Sequence, residues 1–139
     1  MEFAGLNYMG IVVAAAASFA FGSVYYMTLA KRWMAALGKT EEQIKADGGM
    51  KPVVFVITAV AQLIMAWVLA GIIGHLGTGQ VTPVNGLISG AFVWFGFVLT
   101  TQVINHGYQG AKNSLTVIDC GHWLGVLLVQ GLVIGLFGV

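Results

Sequence analysis

Apolar residues in this chain fall into four long runs, and the ionised side chains mark where those runs stop. No residue between Glu2 and Lys31 is charged at pH 7, none between Lys51 and Lys112, and only Asp119 after that. A helix crossing the hydrocarbon core of a bilayer needs about 20 mainly apolar residues at 1.5 Å each. The first uncharged gap accommodates one such helix, near residues 7–30. The second accommodates two, near 53–75 and 84–105, divided by the polar turn from Gly77 to Pro83. The C-terminal run supplies a fourth, near 114–137. No run alternates with period two for long enough to suggest strands. The pattern predicts an all-α integral membrane protein, a four-helix transmembrane bundle forming a single domain over residues 1–139.

The polar stretch at 31–51 has a pattern of its own. Thr40 and Gln43 fit a capping box that starts a short helix through Glu41, Glu42, Ile44 and Lys45. Gly48 and Gly49 stop that helix, and Pro52 suits the first turn of the second span. Just after Lys31 and Arg32, the residues Trp33, Met34 and Leu37 form an apolar set at helical spacing. This predicts a short amphipathic helix lying along the membrane surface. A plain connector explains that pattern without any docked partner.

Composition sharpens the class. Of 139 residues, 58% are hydrophobic and 8% charged, whereas a soluble domain carries about 25% charged residues. So few charges exclude an ordinary soluble domain and a disordered chain, and they leave no basic patch for nucleic acid. The single cysteine excludes a disulfide framework and a Cys-based zinc cage. Five of the six Lys and Arg residues lie in the loop 31–51, and Lys112 lies in the loop after the third span. In a four-span chain both loops are on one side, so the positive-inside rule makes that side cytoplasmic and puts both termini outside. The N-terminal segment has Glu2, no early Lys or Arg, and the stop-transfer pair Lys31 and Arg32, which argues against a cleavable signal peptide.

Small residues recur four apart within the spans: Ala14, Ser18 and Gly22; Gly86 and Gly90; Gly121 and Gly125; Gly131 and Gly135. Such spacing lets helix backbones approach closely in lipid. Packing within the bundle is one use for these faces, and a homo-oligomer interface is the other. Gln62 and Gln130 lie deep in their spans, where bonds to neighbouring helices are expected.

Polar side chains also gather at one depth. The first span ends through Tyr25 and Tyr26, the third through Gln102, Asn105 and His106, and the fourth begins with Asp119 and His122. Gln102, Asn105 and His106 fall at i, i+3 and i+4 and so share a helix face. Asp119 and His122, at i and i+3, are close enough to touch. A carboxylate beside an imidazole could relay a proton or act as a general base. A hydrogen-bond network that fixes helix register accounts for the same residues without any activity. One Asp, two His and a Cys give no recognised ligand spacing, so neither a metal nor a cofactor is expected. Cys120 reads as a small buried residue rather than a nucleophile.

Several segments resemble the domain of unknown function 1761 family. The first-span exit carries the fullest match, from Gly22 through Tyr25, Tyr26, Lys31, Trp33, Met34 and Gly38 to Thr40, Glu41 and Glu42. The segments Thr100–Asn105 and Ile118–Trp123 are similar to later parts of the family pattern. Tyr25 stands where members often carry Trp. The resemblance implies a compact four-helix bacterial membrane protein, hence an inner-membrane location, and favours Tyr26, Asn105, Asp119 and His122 as important positions. It implies no activity. Three functional readings follow: a non-enzymatic accessory protein that self-associates or joins a larger membrane complex, a small transporter or channel with a cytoplasmic-side polar vestibule around Asp119, His122, His106 and Asn105, and, least supported, an enzyme using Asp119 and His122 as an acid–base pair. The lipid bilayer is the partner common to all three.

Overall fold

The computed structural model describes residues 5–139, and Glu2 lies outside them. Every regular element among the described residues is helical. Seven α-helices follow in chain order: α1 (Tyr8–Thr28), α2 (Ala30–Leu37), α3 (Glu41–Ala46), α4 (Pro52–Gly74), α5 (Pro83–Val93), α6 (Thr100–Gln109) and α7 (Asn113–Phe137). A π-helical segment, Trp94–Leu99, joins α5 to α6 without a break, so the third span runs from Pro83 to Gln109. Four helices are thus long and apolar enough to cross a membrane: α1, α4, α5 continued through α6, and α7.

Local sequence sets the element ends. The Asn7 side chain accepts the Gly10 amide at 3.0 Å and starts α1. The Thr40–Gln43 capping box forms in both directions, at 2.9 and 3.2 Å, and starts α3. The Thr82 hydroxyl caps α5, and Pro52 and Pro83 occupy the first turns of α4 and α5, where a missing amide N–H costs nothing. Between α1 and α2 the backbone departs from helical geometry only at Leu29. There α2 turns to lie against the start of α7, and Lys112 Nζ donates to the Ala35 carbonyl at 3.2 Å. Trp33 and Met34 are half-buried and Ala36 is buried, but Leu37 faces outward. The apolar stripe of α2 is therefore one residue away from its expected position at Leu37.

The central helix is α7. It touches α1, α4, α5 and α6, while α4 packs mainly along α1. The core lies in the half of the bundle nearer the termini, built from Ile11, Ala14, Ala15, Ala66, Leu69, Ile73, Leu127 and Ile134. Small residues make the close contacts. A Cβ on Gly86 would collide with the Gly131 carbonyl, and one on Gly131 with the Gly86 carbonyl. Gly90 lies against the Leu127 carbonyl and Gly135 against Thr82 and Pro83. Ala14, Ser18 and Gly22 are buried along α1. The four-residue spacings serve contacts within the bundle.

One polar knot sits at mid-depth. Ser18 Oγ donates to Gln62 Oε1 at 2.7 Å, and Gln130 Nε2 donates to Ser18 Oγ at 3.0 Å and to the Gln62 carbonyl at 3.1 Å. All three side chains are buried, and they tie α1, α4 and α7 together. Bonds of this kind between spans are worth about 1 kcal/mol in lipid. Ser18→Ala is accordingly expected to lower stability by about 1 kcal/mol, read by reversible unfolding in mixed detergent micelles. An unchanged unfolding midpoint would show that the knot adds nothing.

Beyond the knot, towards the charged loops, the bundle opens. The first turns of α4, from Val53 to Ile57, are exposed all round, and α6 is exposed except at Gln102 and His106.

Candidate functional site

The last turn of α1, the first turns of α7 and one face of α6 meet in this open half. Asp119 is the seventh residue of α7, about 9 Å along the helix from its first residue. Tyr26 Oη donates to Asp119 Oδ1 at 2.7 Å. His106 Nε2 lies 3.8 Å from Asp119 Oδ2, within ion-pair range when the ring is protonated. Its other nitrogen, Nδ1, is 2.8 Å from the Thr116 hydroxyl. Thr116, His106, Asp119 and Tyr26 form one connected line of polar groups across three helices.

Why these residues meet follows from helical phase. Trp94, Val98, Gln102 and His106 recur every four residues and form the stripe of the third span that turns towards α7. Trp94 Nε1 donates to the Cys120 carbonyl at 2.8 Å, and Gln102 Oε1 lies 3.8 Å from Cys120 Sγ. Asn105 sits on the exposed side of that stripe and does not join the group. Its i+3 offset from Gln102 rotates it outward by about 60° relative to the stripe, whereas the i+4 offset of His106 keeps that ring on the facing side.

Tyr25 and His122 occupy the second rank. Tyr25 Oη donates to the Ile118 carbonyl at 2.7 Å. The His122 ring is buried, 4.7 Å from the Tyr26 ring and 4.6 Å from Trp123, centroid to centroid. Its Nδ1 meets no hydrogen-bonding partner among the described residues. Asp119 and His122 are close enough in sequence to touch, but the carboxylate instead faces His106 on another helix. Tyr26 is bonded to Asp119 and lies against the His122 ring with the two planes tilted at 45°. Trp33 of α2 closes over Tyr26, with ring centroids 6.2 Å apart. No three His, Cys, Asp or Glu side chains among the described residues come close enough to hold a metal ion.

Thr116, Trp33 and Gly22 belong to the site, and spacing alone did not select them for it. Thr116 lies three residues before Asp119, which puts it on the same face of α7, a signal present in the sequence. Gly22 gives room to His122: a Cβ there would stand 2.6 Å from the ring Nε2. Gly22→Ala is expected to swing the His122 imidazole aside. Its stability cost should be smaller than that of a glycine packed against backbone, because a ring can move and a carbonyl cannot. The check is the His122 side-chain NMR resonance, and an unshifted resonance in Gly22→Ala would contradict the packing described.

A separate hollow of about 440 Å³ opens at the end of the bundle where α1 begins and α7 ends, lined by Asn7, Gly10, Gly71, His75 and Ile134 among others. The apolar core and the Ser18–Gln62–Gln130 knot lie between it and Asp119.

Four spanning helices, three of which meet around a single carboxylate in one half of the bundle, define a small multi-pass membrane protein with an internal polar site. More particularly, the chain belongs to the family described as Protein of unknown function (DUF1761), which matches residues 9–135. No curated protein and no solved structure matches the chain.

Proposed function

We propose that this protein is a small proton-linked membrane carrier whose working part is the Asp119 site, reached from the cytoplasmic side of a bacterial inner membrane, with both termini outside. One observation carries the reading. Asp119, the only formal charge within a span among the described residues, is held by Tyr26 from α1 and lies beside His106 from α6. A charge placed within a span is costly and is a functional position by default. A packing role alone needs no ionised group there.

The arrangement supports a simple working cycle. Protonated His106 and ionised Asp119 attract one another, which draws α6 towards α7. Loss of the His106 proton, or protonation of Asp119, weakens that attraction, and α6 is otherwise largely exposed. The π-helical segment Trp94–Leu99 marks where the arm joins the packed half, and such segments often mark functional sites. The polar site on the basic side and the hollow on the other side, separated by a packed core, fit a carrier better than an open pore.

Solid-supported-membrane electrophysiology on proteoliposomes tests this reading with a panel of small solutes and pH steps. Protein-dependent currents that need both the solute and the pH step are expected. Absence of current for every solute, and for the pH step alone, would overturn it.

A second reading, an accessory protein that self-associates or joins a larger complex, draws on the first turns of α4, which present apolar residues on every side. Crosslinking in mild detergent distinguishes it, since a lone monomer without a copurifying partner counts against it.

A further inference from the structure

A shallow groove of about 500 Å³ lies where α2 turns against the start of α7, and neither Asp119, Tyr26 nor His106 lines it. Arg32 lines one part of it and Lys112 and Ser114 another, while Ala36, Val117 and Ile118 form an apolar floor and wall. We propose that this groove is a binding site for the phosphodiester headgroup of an anionic phospholipid, with an acyl chain lying along Val117 and Ile118.

Charge is the first support. The described ion pairs of the loop are Lys39 with Asp47 and Lys45 with Glu41, both exposed. Neither Arg32 nor Lys112 meets an acidic side chain among the described residues, and no acidic residue lines the groove. Two cations from different helices therefore face one concavity without a counter-charge. Position is the second support. Lys112 Nζ is anchored at 3.2 Å to the Ala35 carbonyl. That single bond leaves the ammonium with two further N–H donors. Lys112 is also the cap residue of α7, yet its side chain makes no capping bond, so the positive end of the helix dipole adds to the same spot. Depth is the third. The groove sits at the junction of the amphipathic α2 with a spanning helix, the depth at which headgroups are expected, and Val117 beside it is exposed. Basic pockets between spanning helices are known to take anionic headgroups.

The proposal is independent of the carrier reading, and its test uses a different readout. The full-length protein is reconstituted in nanodiscs containing equal amounts of phosphatidylglycerol and phosphatidylcholine, and retained lipid is read by native mass spectrometry. A charge-assisted hydrogen bond to the headgroup phosphate is worth roughly tenfold, so Arg32→Ala with Lys112→Ala should reduce the phosphatidylglycerol preference roughly 100-fold. Lys31→Ala with Lys51→Ala, which changes net charge equally outside the groove, should leave most of the preference intact. Both pairs are surface positions, and equal melting temperatures confirm folding. Equal losses in the two double variants would assign the preference to diffuse surface charge and overturn the proposal. So would no preference in the unmodified protein, or full displacement of the lipid by inorganic phosphate, which would mark a free-anion site.

Discussion

Asp119→Asn is expected to reduce proton-linked transport to the level of protein-free vesicles while leaving the bundle folded. The substitution keeps the size of the side chain and can still accept from Tyr26 Oη, now 2.7 Å from Oδ1. It removes the charge that faces His106 and any capacity to take a proton. Partial variants should then grade the effect. Tyr26→Phe deletes one hydrogen bond to a charged group, worth about 1.5–3 kcal/mol, and should slow transport by roughly 10- to 100-fold. His106→Gln keeps a polar contact with Thr116 but removes the imidazole, and should abolish the pH dependence more completely than the rate. Asn105→Ala should have little effect, because Asn105 is exposed and outside the group. Transport assays on these four variants at matched reconstitution efficiency provide the check. Loss of function in Asn105→Ala as deep as in Asp119→Asn would move the site outward.

The largest structural effect is expected at the α5–α7 contact. In Gly86→Ala the new methyl meets the Gly131 carbonyl, and in Gly131→Ala it meets the Gly86 carbonyl. Overpacking commonly costs about 1–3 kcal/mol when side chains can adjust. Here backbone meets backbone, so the two helices must separate, and the neighbouring contacts at Gly90 and Gly135 loosen with them. Either single alanine is expected to cost about 3 kcal/mol or more. Gly107→Ala is the control, because nothing lies within 4 Å of its added methyl. That variant should be neutral or slightly more stable, since alanine favours helix over glycine by about 0.5–1 kcal/mol. Unfolding midpoints in detergent decide the matter, and a Gly86→Ala protein as stable as Gly107→Ala would contradict the close approach.

Much of this architecture is legible in the sequence for identifiable physical reasons. The gaps between Lys31, Lys51 and Lys112 mark spans because a charge in hydrocarbon is costly. The Thr40–Gln43 box and Pro52 declare helix starts through hydrogen bonds that are local in sequence. Gln62 and Gln130 could be expected to bond across helices because a deep amide has few other options. The π-helical segment was not legible: Trp94–Leu99 reads as ordinary apolar helix, and only the Thr100 and Thr101 hydroxyls, which donate back to the Gly96 and Phe97 carbonyls, hint at altered backbone bonding. The third span also runs beyond the expected 105 to Gln109, where Gly110 in the left-handed region ends α6. Partner choice within the polar group was likewise hidden. Sequence spacing ranks neighbours on the same helix, so it favoured Asp119 with His122, whereas the actual neighbour of the carboxylate comes from α6. The outward turn of Asn105 depends on helical phase relative to α7, which no single helix reveals.

The same phase logic separates structure from function in the two polar groups. Ser18, Gln62 and Gln130 are fully buried and neutral, and they hold three helices in register. Asp119, Tyr26 and His106 lie in the half nearer the charged loops, bonded or close to one another across three helices. A neutral knot in the packed half and an ionisable group nearer the charged loops are the two features on which the carrier proposal draws.

Whether Asp119 carries protons is read from a pH step on proteoliposomes that hold a pH-sensitive dye, applied together with the solute that gives a protein-dependent current. The internal pH is expected to follow the step faster with the unmodified protein than with Asp119→Asn of equal melting temperature, and the variant to match protein-free vesicles. Identical rates for the unmodified protein and the variant would contradict that role of Asp119.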